Sequence, residues 1–473
     1  MKKNIIYIIC LSGLLAMAGC KDYLDINTNP NLAAQPPIDG LLASTTYATG
    51  NNTYRVGNIT SYFVQHLASP TVSSGSDIYD EVDYNTTWRY LYDNMTDIHD
   101  MIEQAKEKGS SEHLGVGLVL MAINLQMATD LWGNIPYSEA FVASSSDPES
   151  LTPPYDSQEE IYNAALQLLT DGIAELSKTD SKLTLKASQD LIHGGDLDAW
   201  KRTANLIKAR LLNHYSRKGA YNATNVLTAL SGSYTGNSQD AQVQTFPDLS
   251  PWNQAAVNNT NLLLDGWISA QLVDAMDGTD YGVTDPRLPY MMTLTQFGDY
   301  RGTINGAGRV GTGTDDEESY LSLTGFYSKP GAPVLVATFA EAKFIEAEAN
   351  FRSNKLKEAY DAYLAGIAAH MDKLGVPGPQ KTTYINNPAV SVGEANITLA
   401  LIMKEKYIAM FLHPEAWTDA RRFDYQYRNF TLPTGALLPA FIRRVAYPST
   451  EISRNAANVP PVENLNQKLW WDE

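Results

Sequence analysis

The chain has almost no cysteine. Of its 473 residues only Cys10 and Cys20 carry a thiol. Both lie in the first twenty residues, so no disulfide pair can staple the remainder, and a packed core must hold it. Positive charge is also scarce. Lys and Arg number 35 against 53 Asp and Glu, a formal net charge of −18. Nucleic acid is bound mainly through Lys and Arg on phosphates, so this balance argues against a nucleic-acid partner and against adhesion to anionic lipid. Long apolar runs are missing beyond the N-terminus. The longest one read there, Val334 to Ala337 with its neighbours, falls far short of the roughly 20 residues a spanning helix needs.

Catalytic signatures are missing as well. The chain has no HExxH, no GxSxG and no Walker A, and its seven histidines show no metal-ligand spacing. NGAGRVG contains GxGxxG at Gly306, Gly308 and Gly311, but no strand precedes it and no helix follows, so it reads as a flexible loop and not a dinucleotide site. Asp315, Asp316, Glu317 and Glu318 form a run whose mutual repulsion favours a solvated loop over a pair of glycosidase carboxylates. DAMDGTD, Asp274 to Asp280, loosely resembles a calcium loop without the full EF-hand spacing or the closing Glu. Calcium is therefore the one ion left open, and no other cofactor or metal site is expected.

What is present begins at the N-terminus. Lys2 and Lys3 precede an apolar stretch from Ile5 to Met17, which ends in Ala18, Gly19 and Cys20. A positive flank, a short apolar core and small residues at a cut are the parts of a secretory signal. Residues 1–19 are thus expected to be a lipoprotein signal peptide, removed so that Cys20 carries the lipid. Removing Lys2 and Lys3 takes the net charge from −18 to −20. One acyl chain anchors marginally, at about 0.8 kcal/mol per buried CH₂, whereas two or more anchor stably. A bacterial lipoprotein cysteine carries a diacylglyceryl group and usually a third chain such as palmitate. Polar, proline-rich residues then make 20–37 a lipidated cysteine and tether, and the membrane is met through the anchor only.

Residues 38–473 read as a single, mainly α domain. Leu114, Leu118, Met121, Leu125, Ala128 and Trp132 recur at spacings of four and three and draw one apolar stripe. Ile161, Ala165, Leu168, Gly172 and Leu176 repeat the pattern behind an N-cap at Asp156 or Ser157. Trp200 to Tyr215 gives a third stripe, and Ile397 to Phe411 a late one. Thr338 to Gly375 has the layout of a helix–turn–helix repeat with its turn at Ser353–Asn354, close to the ~34-residue tetratricopeptide scheme. TPR-like helices are accordingly expected over about 90–218 and 338–413, as a scaffold. Between them, about 219–337 is a loop-rich insertion scattered with Trp and Tyr, the kind of segment on which binding sites sit. The C-terminal segment, rich in proline, reads as irregular.

Several segments, in order, resemble the SusD/RagB family of nutrient-binding lipoproteins, in particular its SusD-like second branch. They are CKDYLDINTNPN after the lipid cysteine, TTWRYLYDNM, DLWGNIPYSEAF (Asp130 to Phe141), DPRLPY (Asp285 to Tyr290), FAEAKFIEAEANF, EKYIAMFLHPEAWTDARRFDY and RRVAYPSTEISRN (Arg443 to Asn455). The resemblance spans nearly the whole chain after Cys20. It implies a mostly helical TPR-like fold and a lipid-anchored, cell-surface position on a Gram-negative outer membrane. It also implies a partner, a SusC-like TonB-dependent transporter over which the lipoprotein acts as a lid, and no chemistry on the ligand. Trp132, Gly133 and Pro136 are expected to end a helix and pack. Trp417, Asp419, Arg421, Arg422, Arg443, Arg444 and Glu451 are expected to form structural ion-pair clusters.

The chain's 27 tyrosines and its Asn-rich segments suit neutral polar ligands, because each ring offers an apolar face and a polar tip. The ligand-binding candidates are Tyr79 and Tyr84 before an early helix, Trp88 within it, Trp252 and Asn253 in the insertion, Tyr300 and Arg301 in a Gly-rich stretch, and Tyr320 after the acidic run. The expected function is capture of an oligosaccharide for uptake. A peptide or another nutrient is the alternative ligand. A lipid-anchored glycoside hydrolase, or a TPR adaptor with no aromatic-lined pocket, are the readings of another class.

Overall fold

A computed structural model describes residues 36–141, 151–260, 266–310 and 317–473. The expected signal peptide, Cys20 and nearly all of the tether lie outside the described residues, as do Gly311, Asp315 and Asp316. Residues 38–473 form one unit by themselves. The described residues contain fifteen α-helices. Five long ones come first: α1 (Ile38–Phe63), α2 (Asn85–Lys108), α3 (Ser111–Trp132), α4 (Gln158–Glu175) and α5 (Leu197–His214). Each packs on the next, the mark of stacked helical hairpins. Short helices follow: α6 (Ala223–Ser231), α7 (Pro251–Thr260), α8 (Ala270–Met276) and α9 (Leu288–Met291). The pair α10 (Phe339–Arg352) and α11 (Leu356–Leu374) comes next, then α12 (Gly378–Ile385), α13 (Leu399–Ala409), α14 (Glu415–Arg422) and α15 (Ser449–Arg454). Two small antiparallel sheets pin distant segments. β1 (Leu67–Ala68) pairs with β3 (Trp267–Ile268), and β2 (Ala241–Val243) with β4 (Val334–Ala337).

The fold is mainly α on a TPR-like scaffold, and local chemistry explains its boundaries. Thr338 caps α10 through Glu341 N, and Gly375 ends α11 in the left-handed region at φ +81°. Ser157 opens α4 with a capping box, its hydroxyl accepting from Glu160 N while the Glu160 carboxylate accepts from Ser157 N at 2.8 Å. α3 and α4 cross backbone to backbone. A Cβ on Gly115 would stand 2.5 Å from Leu176 Cγ and 3.0 Å from the Gly172 carbonyl oxygen.

Two expectations change. The helical blocks extend beyond about 90–218 and 338–413, because α1 starts at Ile38 and short helices stud the insertion. α1 carries few large apolar residues. Its buried Thr45, Thr46 and Thr53 satisfy their hydroxyls on carbonyls one turn back, at 2.7–2.9 Å. Asn52, Asn94 and Asn124 then knit α1, α2 and α3 through amide bonds of 3.0–3.2 Å that include Thr49. The second change concerns apolar runs. α3 is itself long and apolar enough to cross a membrane, and 89% of its apolar window is buried inside the molecule. A helix apolar on nearly all sides is the central helix of a large core.

The core also holds buried ions. Arg210 grips Glu341 at 2.5 and 2.7 Å, and Arg422 spans Glu348 at 2.9 Å and Asp419 at 2.5 Å. Lys406 completes the group on Asp419 at 2.8 Å. Burial alone would raise the Glu348 carboxyl, but Arg422 and Arg352 beside it hold it well below the usual range. A second group joins Arg287 to Asp285 and Glu405, with Lys404 2.7 Å from Glu405. Trp417 and Arg421 stack at 3.6 Å in the same interior.

Candidate functional site

Three loops meet at one face, two of them tied by a buried carboxylate and the third by backbone bonds. The loops are 69–83, before α2; 293–310, in the insertion; and 428–437, after α14. Asp77 accepts from Ser69 N at 2.9 Å, Asn305 Nδ2 at 2.8 Å and Gly306 N at 3.0 Å. Burial pushes its carboxyl up to about 6 despite those donors. Asn305 also donates to Leu67 O at 2.9 Å and accepts from Ser269 Oγ at 2.7 Å. Backbone bonds run from Ser73 N to Gly306 O, Arg309 N to Pro70 O, Thr434 N to Asn305 O and Leu437 N to Ile78 O, at 2.8–3.0 Å. Residues 305–310 of NGAGRVG are thus a packed junction here and not a free loop. Gly306 and Gly308 have φ of +81° and +70°, and a Cβ on Gly306 would run into the Thr434 carbonyl oxygen.

The outer surface of this junction is apolar. Val72 is 65% exposed and Val310 71%, with Ile304, Leu432 and Leu437 also exposed on the same tied loops. Beside it stands a turn closed by Thr295 N to Asp299 O and Gly298 N to Thr295 O. Phe297, at its tip, is 58% exposed. Arg301 lies 4.4 Å over the Phe297 ring and pairs with Asp299 at 2.8 Å. Tyr300 is half-buried against the core, and burial raises its hydroxyl above the usual range. Tyr320 sits behind the turn, its N–H donating to Thr293 Oγ1 at 3.1 Å and its ring tilted on Trp267 at 6.3 Å.

The structure places the other candidates differently. Trp88 is buried in a ring cluster with Tyr92, Trp132, Tyr155 and Tyr447 at 4.7–6.4 Å. Trp252 is buried edge-on to Tyr54 at 4.7 Å, and the Asn253 amide donates to Ser328 O at 2.7 Å. Tyr79 is buried against Phe63 with φ +63°. Tyr84 is half-buried at the start of α2, and burial lifts its hydroxyl to about 12. None of these five is among the exposed residues of that face. The reason is their neighbours: each is flanked by apolar residues that the hairpins bring together from afar. Phe297 and Asp77 were not among the residues singled out in the sequence. The signal for Phe297 was its place in TQFGDY, where Gly-Asp marks a turn and the ring has no periodic partner.

Other hollows are less suited. Asp130, His214 and Glu415 bring ligand-type atoms within 4.8 Å of one another. Their atoms already bond to one another and to Tyr162, Gln126 and Trp471 at 2.5–3.4 Å. Burial lowers His214 to about 3 and raises Glu415 to about 7 against nearby Arg210 and Lys406, so the group shares protons inside a cationic surround. Asp274, Asp277 and Asp280 do not converge in this way. Asp277 accepts from Thr279 N and Asp280 from Asn429 Nδ2, as turn-making residues do. In the expected structural clusters, buried Trp132 donates through Nε1 to Ala446 O at 2.9 Å, buried Arg443 pairs with Asp472 at 2.5 Å, and half-buried Glu451 accepts from Tyr155 at 2.8 Å.

Residues 30–448 match the SusD-like_2 family, described as starch-binding associating with outer membrane. No curated protein matches the chain. Among solved structures, a chitin-binding SusD homolog from Flavobacterium johnsoniae is 22% identical at a TM-score of 0.76, covering 91% of this chain and 98% of that one. A SusD/RagB family protein from Bacteroides thetaiotaomicron is 21% identical at 0.74, covering 92% and 98%. A SusD homolog from Parabacteroides distasonis gives the same identity, score and coverage. These likenesses establish the fold. Together with a family pattern running from residue 30 to residue 448, they show that the chain belongs to the SusD-like family.

Proposed function

We propose that the chain is a lipid-anchored protein of the outer-membrane surface that captures an oligosaccharide and delivers it, as a lid, to a SusC-like TonB-dependent transporter. The family match carries this reading, since the family is described as starch-binding and outer-membrane-associated. A solved relative that binds chitin supports a glycan ligand. In this proposal residues 1–19 are removed, Cys20 bears the lipid, 20–37 is the tether and 38–473 the binding domain. The ligand lies on the three-loop face, against Phe297, Tyr300, Arg301 and Tyr320. The chain binds and releases; it performs no chemistry. A peptide ligand is the second reading, favoured by the exposed aliphatic Val72, Ile304, Val310 and Leu437, which suit apolar side chains better than sugar hydroxyls.

The test is calorimetry on the chain started after Cys20, with starch-derived and chitin-derived oligosaccharides and with peptides, followed by mass measurement of the recovered ligand. Intact oligosaccharide, bound about tenfold more weakly by Phe297→Ala or Tyr300→Ala, is the expected result, a change of roughly 1.4 kcal/mol. Peptide binding alone would establish the second reading. Cleaved ligand would end the non-catalytic proposal.

A further inference from the structure

Two arginines converge on one exposed ring outside the three loops. Arg55 of α1 lies 3.8 Å from the Tyr90 ring centroid, and Arg89 of α2 lies 4.9 Å from it. Tyr90 is 36% exposed. Among the described residues neither guanidinium has an ion pair or a hydrogen bond, although the chain holds 53 carboxylates. Asp93, one turn further along α2, pairs with neither. The half-buried amides Asn51 and Asn58 lie one turn to either side of Arg55. Every other cation near the loop face or in the core is engaged: Arg301 on Asp299, Arg287 on Asp285, Arg422 on Glu348.

Like charges held together on a surface repel unless an anion lies between them. The ring quadrupole offsets part of that repulsion and holds both forks in place. A guanidinium fork matches the oxygens of a carboxylate or sulfate bidentately, and its edge stays open while its face stacks. Amides and a phenol beside it supply partners for hydroxyls. The geometry points to a binding site for an acidic saccharide, one bearing carboxylate or sulfate, at Arg55, Arg89 and Tyr90. Tyr90 lies six residues after Tyr84, about 9 Å along α2 at 1.5 Å per residue, so the site borders the loop that enters this helix. The saccharide class rests on the function proposed above; the charge rests on these residues alone.

Calorimetry with tri-galacturonate and a heparin tetrasaccharide tests this, beside neutral maltotriose and vesicles containing phosphatidylglycerol. Binding of an acidic oligosaccharide is expected, weakened about tenfold by added salt because exposed charges are screened. Arg55→Gln with Arg89→Gln should lower that affinity at least about tenfold with an unchanged melting temperature, as both side chains lie at the surface. Failure of both acidic probes, or equal binding by the double variant, overturns the inference. Vesicle binding without oligosaccharide binding overturns it too, and assigns the arginines to lipid phosphate. A neutral saccharide that binds wild type and double variant alike leaves the loop-face reading intact. Acidic binding that survives Phe297→Ala while neutral binding is absent sinks the loop-face reading and not this one.

Discussion

His66 has no exposed surface and both of its ring nitrogens are used. Nε2 faces the Tyr407 carbonyl at 3.0 Å, and Nδ1 faces the Leu412 N–H at 3.3 Å. That pair of partners fixes the neutral tautomer with the proton on Nε2, because a second proton would point at a donor. Burial accordingly drops its pKa to about 3. Rings at 4.5 Å (Tyr407) and 5.5 Å (Phe411) pack against it. His66→Ala is expected to cost about 2–4 kcal/mol in urea unfolding at pH 7, through a cavity and two broken bonds. The unfolded chain takes up the His66 proton below pH 6.5 and the native chain does not, so the deficit of the variant should shrink as pH falls from 6.5 toward 3. A deficit constant with pH would show that the ring is not held neutral. Gly306 offers a second residue-level test. With φ +81° and Thr434 against its Cα, Gly306→Ala should separate the second loop from the third. Ligand affinity is expected to fall by about tenfold or more, with a global stability loss of about 1–3 kcal/mol.

Among the elements, the α3–α4 crossing shows sequence and packing in agreement. The stripe from Leu114 to Trp132 and the one from Ile161 to Leu176 predict both helices, and an N-cap at Asp156 or Ser157 predicts where the second begins. Gly115→Val is expected to destabilise by about 2–4 kcal/mol, measured by urea unfolding, because Leu176 and the Gly172 carbonyl occupy the space. Ser157→Ala should cost about 1 kcal/mol through loss of the cap. Thr338 to Gly375 was equally legible, down to its turn. α1 was not, because the middle of its buried face, from Thr45 to Thr53, is Thr, Asn and Gly, whose burial depends on back-bonded hydroxyls and on amides supplied by α2 and α3. The candidate face was legible in part. Tyr300 and Arg301, named from the sequence, lie on one of its loops, and Tyr320 bonds to Thr293 of the same loop. Trp88 and Trp252 are buried because a ring's burial is decided by neighbours far away in sequence, Tyr447 for the first and Tyr54 for the second, which no local pattern records.

At the scale of the whole molecule, titration sums many buried groups. His66 and His214 are lowered to about 3, and His193 and His413 to about 4, all by burial first. Each loses stability for the fold as pH falls from 6.5 toward its folded value. Asp77 and Glu415, raised by burial to about 6 and about 7, act oppositely: the native chain takes their protons first as pH falls. Asp274, at about 6, adds to that side. Between pH 6.5 and 4.5 the two sets oppose each other, with His370, also held well below its ordinary range by burial, on the side of the histidines. Below 4.5 the unfolded chain also protonates the equivalents of Glu341, Glu348 and Glu405, which arginines and lysines hold low in the fold, Glu405 at about 2. Unfolding free energy is therefore expected to fall more steeply below pH 4.5 than between pH 6.5 and 4.5. Urea midpoints that fall no faster below pH 4.5 than above it would contradict this opposition.

Trp471 donates to Asp130 across 341 positions of sequence, Gln65 donates to Thr431 across 366, and Trp132 to Ala446 across 314. Closure of the interior thus waits on pairings between opposite ends of the chain, and contacts of such sequence separation form slowly. On the export proposed above, that delay would be useful. The early hairpins would collapse only loosely while later residues were still on the far side, and the interior would lock once the segment around Trp471 had arrived.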